Sequence, residues 1–264
     1  MPIDEVKYLT VDRLRLEIYR DTKMAGKAAA DATARALQEL KQQNQRLSVI
    51  FATGGSQMAT LEALTANPNV PWAEIEGFHM DEYVGISENH PASFRRYMRE
   101  RLTQCVPIGQ FFEIAGDTPD PEQVCREYAS LMKAAEPKLC LLGIGENGHL
   151  AFNDPGEADF QDPLDVKIVE LDALCRQQQV AEGWFSAPDE VPSQAITLTI
   201  PALFRVPRLI VSVPGPRKAA IIRRTVEDPI TLACPATILR QHPNVTVYLD
   251  RDSAAELESV HLSR

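Results

Sequence analysis

The stretch Lys138-Leu139-Cys140-Leu141-Leu142-Gly143-Ile144-Gly145-Glu146-Asn147-Gly148-His149-Leu150-Ala151-Phe152-Asn153-Asp154-Pro155-Gly156 joins an apolar run to a glycine-bracketed turn that carries a histidine. Four apolar residues in succession leave no polar side to face water, so 138–142 reads as a strand covered on both faces, as strands are in parallel sheets. In an open parallel sheet, ligands gather where strands end and helices begin. The turn after Leu142 is therefore a place for chemistry, and the reading works outward to what else reaches that edge.

Short apolar runs recur at 47–51, 75–79, 111–114, 139–143, 166–171, 209–213 and 245–249. Helix-like segments lie between most of them, the clearest at 92–102 and at 122–135, the latter following Pro121 with Glu122 near its positive end. Residues 21–45 mix alanine, leucine and charge without proline and predict one long surface helix. This alternation predicts an α/β fold, a doubly wound, mostly parallel Rossmann-like sheet with helices on both faces. With 264 residues the chain suits one large domain spanning 1–264 rather than two small ones. The segments 154–163 and 183–192 read as longer loops of the kind that wall a site.

Composition narrows the function. A net charge of -10 argues against general affinity for nucleic acid or anionic membrane, so a bound phosphate needs a local site. No run approaches the roughly 20 apolar residues of a membrane span, and Met1-Pro2-Ile3-Asp4-Glu5 lacks the pattern of a secretory signal, so the expected address is cytoplasmic. Cys105, Cys125, Cys140, Cys175 and Cys234 form no C-x-x-C pair and read as reduced packing thiols, with no metal site expected.

Four motifs follow apolar strands. Thr53-Gly54-Gly55-Ser56 leads into a helix with Met58, Leu61 and Leu64, a phosphate-binding arrangement in which glycine lets backbone N–H groups approach an anion; the plain alternative is a tight turn. In Met80-Asp81-Glu82-Tyr83 two acids at a strand terminus project differently, so one can face a crevice while the other makes structural bonds. His149, held between Gly145 and Gly148 beside amide and carboxylate groups, suits acid-base work near neutral pH. In Pro214-Gly215-Pro216-Arg217-Lys218 a cation beside a helix start opposes the dipole, which an anionic ligand would explain. Along one sheet edge these make a plausible sugar-phosphate site.

In order and spacing, Thr53 to Ser56, Asp81-Glu82-Tyr83-Val84-Gly85 with His90-Pro91-Ala92-Ser93-Phe94, the 143–156 run and Lys218 resemble the glucosamine-6-phosphate deaminase family, within a superfamily shared with 6-phosphogluconolactonases. The resemblance covers about 47–250, and Phe152-Asn153-Asp154-Pro155-Gly156 is closer to the deaminase form of the motif than to the lactonase form. It implies a cofactor-free conversion of glucosamine 6-phosphate and water to fructose 6-phosphate and ammonia. By the same resemblance Asp81 matches the general base and His149 the group that opens the sugar ring. Asp154 and Asn147 match the groups that orient the histidine, and Thr53, Gly54, Gly55, Ser56 and Lys218 match the phosphate site.

Three positions depart from the family pattern. Asp154 stands where well-known deaminases carry Glu, and one methylene fewer shifts a carboxylate by roughly 1 Å, which can cost about a hundredfold in rate. Asn147 replaces the Asp of some members and matches others. Gly183 lies nearest to a phosphate-binding arginine that precedes an aromatic pair, leaving Arg176 as an alternative anion ligand or a surface residue. The competing readings are a sugar-lactone hydrolase and a non-catalytic sugar-phosphate sensor. In each the partner is a small-molecule phosphosugar, and a homo-oligomer is compatible with the chain.

Overall fold

The structure, a computed structural model, describes residues 6–181 and 183–257. The first part runs β1 (Lys7–Val11), β2 (Leu14–Tyr19), α1 (Thr22–Gln42), β3 (Leu47–Phe51), α2 (Met58–Thr65), β4 (Ile75–His79), β5 (Asp81–Tyr83), α3 (Phe94–Met98), β6 (Gln110–Phe112), α4 (Pro121–Ala135) and β7 (Leu139–Leu142). It continues with β8 (Val166–Glu170), α5 (Ala173–Ala181), β9 (Gln194–Leu198), α6 (Ile200–Phe204), β10 (Leu209–Ser212), α7 (Ala219–Glu227) and β11 (Val245–Asp250). Residues 1–5, read above for a leader, lie outside the described residues.

Eight strands form one sheet in the order β1-β2-β11-β10-β7-β3-β4-β6, with only the edge strand β1 antiparallel to its neighbour. Two-residue periodicity explains why its central strands are apolar throughout. In β3, Leu47, Val49 and Phe51 pack with Ala29, Leu37 and Leu61 of α1 and α2, whereas Ile50 points into the opposite core with Tyr128 and Ile222 of α4 and α7. Leu139 and Leu141 of β7 share the first core, and Cys140 and Leu142 share the second. Each such side chain contributes about 1.5–3 kcal/mol by burial, so a charge at Leu141 would break both the strand and its neighbours.

Local chemistry sets the helix ends. Asp21 accepts from the Met24 N–H at 2.9 Å and starts α1, Asp120 accepts from Gln123 ahead of Pro121 in α4, and Glu136 closes α4 in the left-handed region at φ 46°. The segment expected as a helix over 92–102 forms the short α3 and then a π-helical turn over Arg99–Thr103.

One strand expectation needs correcting. The run at 166–171 forms β8, which lies outside the parallel sheet in a separate antiparallel sheet ordered β5-β9-β8. Lys167 and Glu170 are the reason: three residues apart, they put a polar side chain on each face of β8, which an edge strand of an antiparallel sheet tolerates and a central parallel strand does not. The N-terminal hairpin of β1 and β2 was not anticipated, although Leu14, Leu16 and Ile18 alternate with more exposed residues as a half-buried strand does.

Candidate active site

The strand order positions the site. From β3 the chain moves outward through β4 and β6, and from β7 it moves the other way through β10 and β11, so a crevice opens between the carboxyl ends of β3 and β7. A small open cleft of about 90 Å³ lies there. Thr53, Gly54, Gly55 and Ser56 after β3, Asp81 just past β4, His149 after β7 and Lys218 after β10 all line it. The four motifs thus meet at four adjacent strands.

The acids of Asp81-Glu82 divide as their opposed directions require. Glu82 is fully buried and accepts from the N–H groups of Tyr83, Phe94 and Arg95 and from the Ser93 hydroxyl at 2.8–3.0 Å, which ties β5 to the start of α3. Its other partner is Arg95, with Nε at 3.4 Å. Asp81 faces the cleft, and its Oδ1 accepts no hydrogen bond among the described residues. Burial, and then the Glu82 charge, push the Asp81 carboxyl well above its ordinary range, which makes its ionised form a stronger base.

His149 is fixed from behind. Its Nδ1 lies 2.9 Å from Asp154 Oδ1, an oxygen that also accepts from Asn147 Nδ2 at 2.8 Å, while the His149 N–H donates to Asn147 Oδ1 at 3.0 Å. A proton on Nδ1 directed at the carboxylate leaves Nε2 for the cleft. Burial alone would raise Asp154, but the contacts from His149, Asn147 and the Cys175 thiol overcome it and hold the carboxyl below its usual range. The shorter side chain at 154 therefore still reaches the imidazole. Asn147 and Asp154 orient the histidine without lining the cleft.

Glycine is required at two points of this wall. A Cβ on Gly145 would fall 2.2–2.4 Å from Cε1, Nε2 and Cδ2 of His149, so the ring rests on a bare backbone. Gly54 has φ 92°, in the region that disfavours side chains, and its carbonyl accepts from the Tyr97 hydroxyl at 2.9 Å. Lys218, in the turn Pro216–Lys218, is buried with Nζ donating to the Ile144 carbonyl at 2.9 Å.

Arg176, the expected alternative anion ligand, is not part of the lining: its guanidinium donates to the Pro188 carbonyl on the outer side of α5. Gly183 is exposed at φ 82° and brings no cation, and Arg217 pairs with Glu146. Gln178 and Gln179 enter the cleft in their place, with Phe94 and Phe152 as apolar walls. The sequence carried a signal for this. In a helix, residues three and four beyond Cys175 share its face while the residue next to it turns away, so burial of Cys175 selects Gln178 and Gln179 over Arg176.

Cys175 also bears on metal chemistry. One atom each of His149, Asp154 and Cys175 lie within 4.8 Å of one another, a donor set that can in principle hold an ion. Burial pushes the thiol far up, so it is a neutral donor to Asp154, and Asp154 Oδ1 is already committed to His149 and Asn147. The cluster is built as a hydrogen-bonded support for the imidazole.

The chain matches the family described as glucosamine-6-phosphate isomerases/6-phosphogluconolactonase over residues 20–248. It belongs to that family. It is 33% identical over 220 residues to a glucosamine-6-phosphate deaminase of Exiguobacterium sibiricum, covering 83% of this chain and 85% of the relative. It is 36% identical over 183 residues to another of Exiguobacterium sp., covering 69% and 70%. Among solved structures a monomeric glucosamine-6-phosphate deaminase superposes with a TM-score of 0.84 at 30% identity, covering 91% of this chain and 99% of that one. A 6-phosphogluconolactonase of Trypanosoma brucei superposes at 0.76 with 19% identity over 92% and 98%, a likeness of fold alone. Among the described residues no helix is long and apolar enough to cross a membrane.

Proposed function

We propose that this chain is a glucosamine-6-phosphate deaminase, an aldose-ketose isomerase that converts the amino-sugar phosphate and water to fructose 6-phosphate and ammonia without a cofactor. The observation that carries the reading is the cleft shared by a buried carboxylate, whose Oδ1 has no partner among the described residues, and an imidazole backed by Asp154, beside a glycine loop and a buried lysine. The relatives named as deaminases favour this activity over that of the lactonases, which are similar only in fold.

In this reading the Thr53–Ser56 loop and Lys218 hold the phosphate, so the charge is met by backbone N–H groups and one ammonium. His149, through Nε2, passes a proton to the ring oxygen and opens the pyranose. Asp81 removes the proton from C2 of the open chain and delivers it to C1, while the amine gives up a proton and O1 takes one, so that the amino aldehyde becomes an enolamine and then a C2 imine with a hydroxyl at C1. Water adds at C2, the C2–N bond breaks and ammonia leaves. A carboxylate raised by burial suits this step, since the stronger base takes a carbon-bound proton more readily. The proposal places the protein in the cytoplasm, in keeping with five unpaired thiols.

The test is an assay of purified protein with glucosamine 6-phosphate for ammonia and fructose 6-phosphate, run beside hydrolysis of 6-phosphogluconolactone. Stoichiometric ammonia supports the deaminase. Lactone hydrolysis that survives Asp81→Asn, with no ammonia from any hexosamine phosphate, would replace it by the hydrolase, and phosphosugar binding without turnover would replace it by a sensor.

A further inference from the structure

Helix α5 delivers three side chains to one place: Cys175 against Asp154, and Gln178 and Gln179 into the cleft. Gln178 has a structural duty, its Oε1 accepting from the Glu146 N–H at 3.2 Å. Gln179 is different. It is only 6% exposed, and its Oε1 accepts from the Tyr83 hydroxyl at 2.8 Å. Tyr83 is itself fully buried and packed between the rings of Phe94, Phe152 and Phe185 at 5.1–5.5 Å, so the hydroxyl is a fixed donor.

An amide whose oxygen is held in this way has a settled orientation and presents its N–H groups elsewhere. Among the described residues those N–H groups meet no acceptor, and the residue lines the cleft. A site built with such a directed donor at its wall rejects ligands that cannot match it. Tyr83 lies two residues beyond Asp81 on β5 and so on the same side of that strand, which places the Tyr83–Gln179 pair toward the carboxylate end of the cleft. A neutral donor there answers an uncharged oxygen, whereas the anion is answered by the glycine loop and Lys218.

We infer that Gln179 is a substrate-binding residue, its amide N–H group donating to a hydroxyl or carbonyl oxygen of the sugar chain and its orientation set by Tyr83. This rests on the proposed function for the identity of the sugar phosphate, but the binding role is testable without turnover. Calorimetry with two probes separates them: an open-chain hexitol 6-phosphate, which offers hydroxyls and phosphate, and inorganic phosphate, which offers only the anion.

Gln179→Leu should weaken the hexitol phosphate about 10- to 100-fold and leave inorganic phosphate within about twofold. Gln179→Glu keeps the shape and the acceptor for Tyr83 but removes the donor, so it guards against a packing defect and should weaken the hexitol phosphate at least as much. Tyr83→Phe, which frees the amide to turn, should have a smaller effect of the same kind, about 3- to 10-fold. Thermal unfolding of each variant shows that the fold is kept. Unchanged hexitol binding in Gln179→Leu, equal weakening of both probes, or no hexitol binding by the wild type would each overturn the assignment. Absence of ammonia release by a wild type that binds the hexitol phosphate through Gln179 would overturn the deaminase reading alone.

Discussion

Replacing Gly145 with alanine adds one methyl group at the point where the imidazole of His149 rests on the backbone. The new carbon would lie 2.2 Å from Cε1, 2.3 Å from Nε2 and 2.4 Å from Cδ2, whereas carbon atoms settle at about 3.5–4.0 Å. The ring must therefore retreat by at least about 1 Å, and its Nδ1 is tied to Asp154 Oδ1 at 2.9 Å. Displacement of that size at a reacting group costs on the order of a hundredfold in rate. The expected result is a fall in kcat of about 100-fold or more with little change in KM, since the phosphate loop and Lys218 are untouched. Overpacking should cost about 1–3 kcal/mol of stability, leaving a folded protein by circular dichroism. Gly156→Ala is the control, because a Cβ there meets nothing within 4 Å. A Gly145→Ala enzyme with kcat within threefold of wild type would show that the imidazole position does not govern turnover.

Other substitutions probe the groups around that ring. Asp154→Asn puts an amide where Nδ1 needs an acceptor and should lower kcat by about 10²- to 10⁴-fold through the wrong tautomer, read in steady-state kinetics. Because burial raises Asp81, its ionisation costs folding free energy. That cost is absent near pH 4, grows as pH rises from the ordinary carboxylate range to the raised value, and is constant above it. Asp81→Asn should therefore be inactive yet melt higher than wild type at pH 8, with the gap closing toward pH 4 in thermal scans. His79, fully buried with Nε2 accepting from the Ile114 N–H at 2.7 Å, is pushed down to about 3 by desolvation and then by Arg95. The unfolded chain takes up this proton below about pH 6.5 and the folded one does not, so stability is lost as pH falls from 6.5 toward 3, and His79→Gln should flatten that limb in urea titrations. Glu82→Ala leaves Arg95 its ion pair with Asp117 at 2.9 Å but strips the acceptor from the Tyr83, Phe94 and Arg95 N–H groups and the Ser93 hydroxyl, at a cost of about 3 kcal/mol or more in denaturant unfolding.

The parallel sheet was legible because its central strands are largely apolar on both faces, and runs such as 47–51 and 139–142 followed by glycine turns suit that context. The four motifs were legible for the same reason: a parallel sheet puts every strand-to-helix turn on one edge. Strands that mix polar with apolar residues were harder. β8 was read as part of the parallel succession because its apolar residues were weighed without Lys167 and Glu170. β9, Gln-Ala-Ile-Thr-Leu, carries polar residues that masked it, and β1 and β2 show only half-buried alternation.

Within the site, the split between Asp81 and Glu82 was within reach of local spacing, whereas the backing of His149 by Asn147 and Asp154 followed from the family resemblance. Arg176 stood open between an anion ligand and a surface residue, and helical periodicity sends it away and brings Gln179 inward. The pairing of Gln179 with Tyr83, 96 residues earlier, depends on how the second sheet packs on the first and is not a property of either segment alone.

The central claim is that Asp81 carries a proton between carbons of a bound open-chain sugar. The most direct measurement is NMR of glucosamine 6-phosphate incubated in D2O with wild type and with Asp81→Asn. The account predicts carbon-bound deuterium, at C1 of the ketose phosphate or C2 of recovered substrate, with wild type and none with the variant. Deuterium entering at the wild-type rate with Asp81→Asn would contradict it.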